Sequence, residues 1–474
     1  MSGIARLAGL LALAALTACA GPVDVPIWDQ PPPPAADSPV VKPGSLHRFE
    51  LDNGLSLIVL EDHRLPRVSL GIGLRRGAAS VEPDRAGLAR FTAELMKRGA
   101  GDRDSMALAS AVDALGSVLS VRADWDSIAA QIWGLTRDLD SILGILADVV
   151  LRPRFDDDEA VRARGELLAA IERAIDDPHY LERRFASVAL YSGLREGLPL
   201  SGRPETVAAL DSAAARDFHA RMFIPNNAIL FASGDLDAVE LLDRVGAAFG
   251  SWPAGEIPDA GPPLPAPTPS ARRILVVDRP DLTQTQITLA HEGIARTDPD
   301  RIAATLLNEA IGGSGFSSRL MQRVRADAGL TYGVSSRFSL RRGGGTFAVS
   351  TFTRVAEVRR VVDLLLVELE RARSEPPTGL ELEEMRALAV GQFALGIQTS
   401  DAVLDSLVNL EIYDLPEDSL DTYRSRVRAV TATDVERLAL ELLHPDRAAI
   451  VLVGPAEALT PQLKDLGPIE VVQP

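Results

Sequence analysis

Between Gly87 and Ala100 the chain reads Gly-Leu-Ala-Arg-Phe-Thr-Ala-Glu-Leu-Met-Lys-Arg-Gly-Ala. Arg90 and Glu94 stand four apart, so on a helix they share one face and predict a solvated ion pair. Arg325 and Tyr332 stand seven apart in Val324-Arg325-Ala326-Asp327-Ala328-Gly329-Leu330-Thr331-Tyr332. An arginine offers peptide carbonyls a rigid fork of N–H groups, and a tyrosine hydroxyl can donate to an oxyanion. By themselves such a pair marks only a structural turn. Asp156-Asp157-Asp158 is an acidic cluster, and three adjacent carboxylates fit the start of a helix in solvent. The histidines are His47, His63, His179, His219, His291 and His444; the closest two in sequence, His47 and His63, are several helical turns apart. There is one cysteine. Local His-x-x-x-His sites, cysteine zinc knuckles and intramolecular disulfides are therefore excluded. Gly312 to Gly315 lacks the Gly-Lys-Ser/Thr ending of a phosphate loop. Gly343-Gly344-Gly345 fits a hairpin turn.

The elements that must position these residues repeat. Pro225 to Gly234 and Pro445 to Gly454 each read as a turn followed by a buried strand, at an offset of 445 − 225 = 220. Each follows a helical stretch, Ala213 to Met222 or Ala432 to Leu443. Alternating strands come earlier in each half: Leu55 to Leu60 and Val68 to Leu74, then Arg273 to Val277 and Thr285 to His291. Amphipathic helices follow at Asp84 to Lys97 and Pro299 to Ala310. Seven prolines lie between Pro253 and Pro269. The order predicts an α+β fold of two similar domains related by internal duplication, each a mostly antiparallel sheet packed with helices on one face. The expected domains are 46–252 and 273–474, joined by a Pro-rich linker, 253–272.

The N-terminus reads as a targeting segment. Arg6 is a short basic region, and Leu7 to Leu16 is apolar but too short for a stable span. Leu16-Thr17-Ala18-Cys19 resembles a bacterial lipobox, which implies a signal peptide over 1–18 and lipidation of Cys19; an ordinary signal peptide cut nearby is the alternative. Ala20 in place of Asp points to the outer membrane, facing the periplasm. Residues 19–45 form a tether, with Gln30-Pro31-Pro32-Pro33-Pro34 a stiff polyproline run. The net charge of −17 argues against a nucleic-acid partner.

The segment from Gly87 resembles the zinc helix of the insulinase/pitrilysin metallopeptidases, the inverzincins, whose pattern is Gly-Leu-Ala-His-x-x-Glu-His. There the two histidines ligate zinc and the glutamate activates a zinc-bound water. Here the first histidine falls on Arg90, the catalytic glutamate on Ala93 and the second histidine on Glu94. The distal glutamate ligand, placed by Ile171 to Pro178, falls on Ala170. The helix keeps its flanks and loses its chemistry. The stretch Gly312 to Leu320 followed by Arg325 and Tyr332 resembles the family's other half, where such an arginine and tyrosine hold substrate. Leu51 to Leu55, Gly202 with Glu205, Pro225 to Ala228 and Gly234-Asp235 fit as well, so the resemblance covers roughly residues 46 to 460.

The resemblance implies a chain that binds no cofactor of its own and holds no catalytic residue in its zinc-helix positions. It implies a zinc-bearing homologous subunit as partner in a heterodimer. Arg325 and Tyr332 would bind a peptide substrate in trans, and the N-terminal lipid would supply the membrane contact. Two other readings stay open. One is a non-catalytic peptide-binding or scaffold lipoprotein that takes extended peptides on the edge strand Gly116 to Ala123. The other is independent catalysis with a different metal or none.

Overall fold

The computed structural model describes Pro26, Gln30, residues 38–259 and residues 271–474. The signal peptide, Cys19, the run Pro31 to Pro34 and most of the Pro-rich linker lie outside the described residues. Residues 39–474 form one compact unit. No helix among the described residues is long and apolar enough to cross a membrane.

Two six-stranded sheets organise this unit. The first contains β1 (Leu46–Glu50), β2 (Ser56–Glu61), β3 (Arg67–Leu74), β4 (Leu119–Ala123), β5 (Ile128–Leu135) and β6 (Ala228–Gly234), in the order β1-β2-β6-β3-β5-β4. The second contains β7 (Arg273–Asp278), β8 (Gln284–Glu292), β9 (Val334–Arg341), β10 (Gly344–Arg354), β11 (Ala449–Gly454) and β12 (Ile469–Val472), in the order β12-β7-β11-β8-β10-β9. Both are mostly antiparallel, with β2·β6 and β7·β11 as equivalent parallel pairs. They differ at one edge: β1 runs antiparallel to β2, whereas β12 runs parallel to β7.

The duplication can be read in the register. Ser56 pairs with Ile229 and Arg273 with Ala449, giving offsets of 273 − 56 = 217 and 449 − 229 = 220. Gly73 with Ile229 and Ala290 with Ala449 give the same two numbers. Even a helix anchor is copied. Glu61 accepts from the N–H of Ala238 at 2.8 Å, and Asp278 (278 − 61 = 217) accepts from Ala456 at 2.9 Å. Each carboxylate thus satisfies an open N–H at the start of the helix that follows, Ala238–Phe249 or Ala456–Leu463.

The central strands β6 and β11 are buried along their whole length. Such a run of apolar residues fits a strand covered on both faces. One face of each sheet carries helices of its own half, as expected. The other face is covered by a helix from the opposite half. The helix α3 (Pro178–Tyr191) packs Leu181, Phe185 and Leu190 against Leu275, Val277 and Val451 of the second sheet. In return α4 (Ser400–Ile412) packs Leu404, Leu407 and Val408 against Ile58, Ile229 and Phe231 of the first. Each half therefore completes the core of the other, and the two sheets make one folding unit.

Gly234 closes β6 with φ +121°, and a Cβ there would stand 2.1 Å from the carbonyl oxygen of Arg67. Both the left-handed backbone and the close approach demand glycine. Gly234→Ala is expected to destabilise the fold by about 2–4 kcal/mol, read from urea unfolding. An unfolding midpoint that stays at the parent value would contradict this account.

Candidate functional site

The zinc-helix segment forms α1 (Leu88–Met96). The sequence pattern suggested a helix from Asp84. Instead Pro83–Arg85 is a 3-10 turn, and Gly87 resets the chain with φ +99°. A Cβ on Gly87 would meet the Ser201 carbonyl oxygen at 2.8 Å, so the helix start is wedged against that loop. Leu88, Phe91, Thr92, Leu95 and Met96 face the core. Arg90 is exposed.

The expected Arg90–Glu94 pair is not formed. Glu94 bonds Lys97 at 2.8 Å, and Arg90 has no ion pair among the described residues. A glutamate one turn N-terminal to a lysine near a helix end agrees with the helix dipole, which favours this choice. Ala93 is 2% exposed, so the position of the family's general base points into packed core. The helix α2 (Asp157–Ile175) packs on α1 and begins with Asp156, Asp157 and Asp158, as expected for a helix start. Arg98 and Glu166 tie the two helices at 2.6 Å. Their hydrogen bond raises Arg98 and holds the Glu166 carboxyl below its ordinary range. Ala170 lies one turn beyond Glu166 on α2 and offers no ligand. Among the described residues no three His, Cys, Asp or Glu side chains are grouped to hold a metal ion.

Arg325 and Tyr332 are brought together, though through the backbone. Arg325 Nη1 donates to the Tyr332 carbonyl oxygen at 2.7 Å. The guanidinium lies over Phe316, 4.5 Å from the ring centroid. Phe316 and Tyr332 are 68% and 79% exposed. The Tyr332 hydroxyl has no partner among the described residues, and neither do Nε and Nη2 of Arg325. The loop below is fixed to β10: Thr353 donates to the Leu330 carbonyl at 2.7 Å and Thr351 to that of Gly333 at 2.8 Å. The phenol is thus presented to solvent from a held loop, beside a half-buried cation at the end of the helical segment Met321–Asp327. Arg319, by contrast, is structural. It forks onto Glu381 at 3.0 and 3.2 Å and donates to the Glu375 carbonyl. Gly312 and Gly313 belong to a π turn, Glu309–Gly313. The sequence reading did not single out Phe316; a large aromatic within a Gly/Ser-rich segment was the available signal.

One edge of the first sheet is β4, as expected for Gly116 to Ala123, and the other is β1. Beside it runs a cavity of about 220 Å³ lined by Lys97, Leu108, Val112, Ser117, Val118 and Leu119.

Two duplicated sheet-and-helix halves, with a ligand-stripped helix in one and an Arg/Tyr loop in the other, define a peptidase-like architecture. The chain belongs to peptidase family M16. The insulinase (peptidase family M16) profile matches residues 57–202, and that of the peptidase M16 inactive domain matches residues 209–388. An uncharacterized zinc protease of Streptomyces coelicolor is 27% identical over 417 residues, covering 87% of this chain and 90% of its own. One from Mycobacterium tuberculosis is 29% identical over 393 residues, covering 82% and 87%. A crystal structure of a peptidase M16 inactive domain from Pseudomonas fluorescens superposes with a TM-score of 0.80 at 25% identity, covering 86% of this chain and 98% of that one. A protease from Helicobacter pylori shares the fold, with a TM-score of 0.77 at 17% identity, covering 86% and 99%.

Proposed function

We propose that this chain is the zinc-free, substrate-holding subunit of a heteromeric periplasmic peptidase, anchored in the outer membrane through a lipid on Cys19. Its partner is a homologous subunit that supplies His-x-x-Glu-His and the zinc. The observation that carries this reading is the asymmetry between the halves. Arg90, Ala93, Glu94 and Ala170 replace both histidines, the base and the distal glutamate on an intact helix frame, while half-buried Arg325 is bonded to the backbone of the exposed Tyr332. In such a pair Arg325 would direct its free N–H groups at peptide carbonyls, and the Tyr332 hydroxyl would donate to the oxyanion of the tetrahedral intermediate. The β4 edge and its adjoining cavity favour an extended peptide as ligand, added as a further strand. That same edge supports a second reading, a peptide-binding lipoprotein without catalysis.

An affinity pull-down of the intact lipoprotein from its native membranes separates the two. A stoichiometric partner that brings zinc and chelator-sensitive peptide cleavage supports the first reading; peptide capture by the lone, inert chain supports the second. In the assembled pair, Tyr332→Phe is expected to lower kcat on the order of a hundredfold and Arg325→Ala to lower kcat/KM comparably, with unfolding of this subunit unchanged. Unaltered turnover in both variants would remove the trans assignment.

A further inference from the structure

The two halves meet at the tips of equivalent hairpins, and the meeting point is crowded with arginines. The turn between β4 and β5 supplies Trp125 and Asp126, and the turn between β9 and β10 supplies Arg342. The Arg342 backbone N–H donates to Asp126 Oδ2 at 3.0 Å, and the Tyr413 hydroxyl donates to the same oxygen at 3.0 Å. Two further guanidiniums rest on the Trp125 ring, Arg195 from the first half at 4.9 Å and Arg341 from the second at 4.2 Å.

Arg195 is only 6% exposed and makes no ion pair among the described residues. Its Nη1 makes two long bonds, 3.4 Å each, to the carbonyls of Leu198 and Pro199. Its Nε and Nη2 are buried without a partner. Arg342 repeats the pattern: Nη1 reaches Asp414 at 3.0 Å, while Nε and Nη2 are buried and unpartnered. Arg341 Nη1 is in the same state. On a guanidinium, Nε and Nη2 form the side-on fork whose two parallel N–H bonds match the oxygens of a carboxylate or phosphate.

The nearby acids are engaged elsewhere. Asp124 accepts from the Trp125 N–H at 2.7 Å, and Asp126 is held by Arg342 and Tyr413. Glu196 adjoins Arg195 in sequence without forming an ion pair with it. Burial pushes Arg195 down to about 10, which leaves it a cation at neutral pH. A buried cation with bare donors is costly unless an anion meets it.

We infer that the seam between the halves binds a small oxyanion, a carboxylate or a phosphate, in the side-on fork of Arg195, with Arg341, which rests on the same Trp125 ring, supplying a further donor. Because Arg195 comes from the first half and Arg341 from the second, the bound anion bridges the duplication and stiffens the seam. The site uses neither the zinc-helix positions nor Arg325 and Tyr332, so it stands whether or not the chain works in a peptidase.

Thermal unfolding and isothermal titration of the purified full-length lipoprotein in detergent test this, with sodium phosphate, sodium acetate and sodium chloride at matched ionic strength. The expected result is a saturable rise in Tm and a titratable heat with phosphate or acetate that chloride does not reproduce. Whichever anion acts identifies the chemistry. Arg195→Gln is expected to weaken that binding at least tenfold. Should it fail to fold, Arg341→Gln, which alters a less buried side chain, is expected to weaken it severalfold. Equal responses to all three salts, or wild-type affinity in the folded variants, would overturn the inference.

Discussion

A chain carrying Arg90→His, Glu94→His and Ala170→Glu is expected to bind one equivalent of zinc, with an affinity on the order of a thousandfold or more above that of the unaltered chain. The frame for such a site is already built. Positions 90 and 94 share a face of α1, and α1 is fixed by core packing on its other face. Position 170 lies on the helix that packs against α1 and is tied to it by Arg98 and Glu166. The substitutions remove only the Glu94–Lys97 bond, a partly exposed pair worth a few tenths of a kcal/mol, roughly. They also remove the cation at position 90, which would repel a metal. Hydrolysis is a separate matter. It needs Ala93→Glu as well, and Ala93 is buried, so a carboxylate there must displace its neighbours at about 1–3 kcal/mol. The triple variant should therefore bind zinc without cleaving peptide. Isothermal titration and metal analysis after gel filtration provide the check. A well-folded triple variant with no gain in zinc affinity would show that α1 and α2 are not held at ligand distance.

How much of this could be read beforehand follows from what a sequence encodes locally. The central strands Ala228–Gly234 and Ala449–Gly454 were legible because a continuous apolar run after a Pro turn occurs twice, once in each half. The acidic start of α2 was legible from its run of carboxylates, whereas the edge position of β4 came from the family resemblance. The exchange of α3 and α4 was not. Periodicity shows that Leu181 and Phe185 share an apolar stripe, but nothing in it says which sheet the stripe will cover. The Glu94–Lys97 bond was missed because two cations lie within reach of one carboxylate, and spacing alone does not choose between them. The seam around Trp125 joins residues from opposite halves of the chain, at turns and a strand end with no periodic signal. Arg325 and Tyr332 were found as a pair seven apart, but the bond runs from the guanidinium to the tyrosine's backbone, which side-chain logic did not anticipate.

Glu182 shows what the exchange of helices does to stability, and Glu182→Gln is expected to raise stability at pH 8 by on the order of 3 kcal/mol. The residue sits on α3 at 4% exposure, facing Thr288 of β8 and Ser350 of β10, and its Oε2 has no hydrogen-bond partner. Those two hydroxyls are 3.1 Å apart and bond each other. Arg183 and Asp177 are the charged groups that act on it from its own side, with Arg183 favouring the carboxylate and Asp177 opposing it. Desolvation dominates and pushes the Glu182 carboxyl up to about 7 from 4.5. The sign follows from proton counting. Below pH 4.5 the group is neutral in both states and contributes nothing. Between 4.5 and 7 the folded chain keeps a proton that the unfolded chain has lost, so stability falls as pH rises. Above 7 the penalty is complete. His291 works in the opposite sense. It is fully buried, its Nδ1 bonds the Glu292 carbonyl at 2.6 Å, and its Nε2 accepts from the His444 backbone N–H at 3.3 Å. Burial lowers it to about 3 from 6.5, so its contribution is lost as pH falls below 6.5. Between 4.5 and 6.5 the two slopes oppose each other in the unaltered chain. Glu182→Gln removes one of them, so in that window the variant's stability should climb more steeply with pH than that of the unaltered chain. The difference between variant and unaltered chain in urea unfolding isolates Glu182, because every other group cancels. A difference that stays constant from pH 5 to 8 would mean that the carboxyl meets water in the folded state and that α3 does not seal the second sheet.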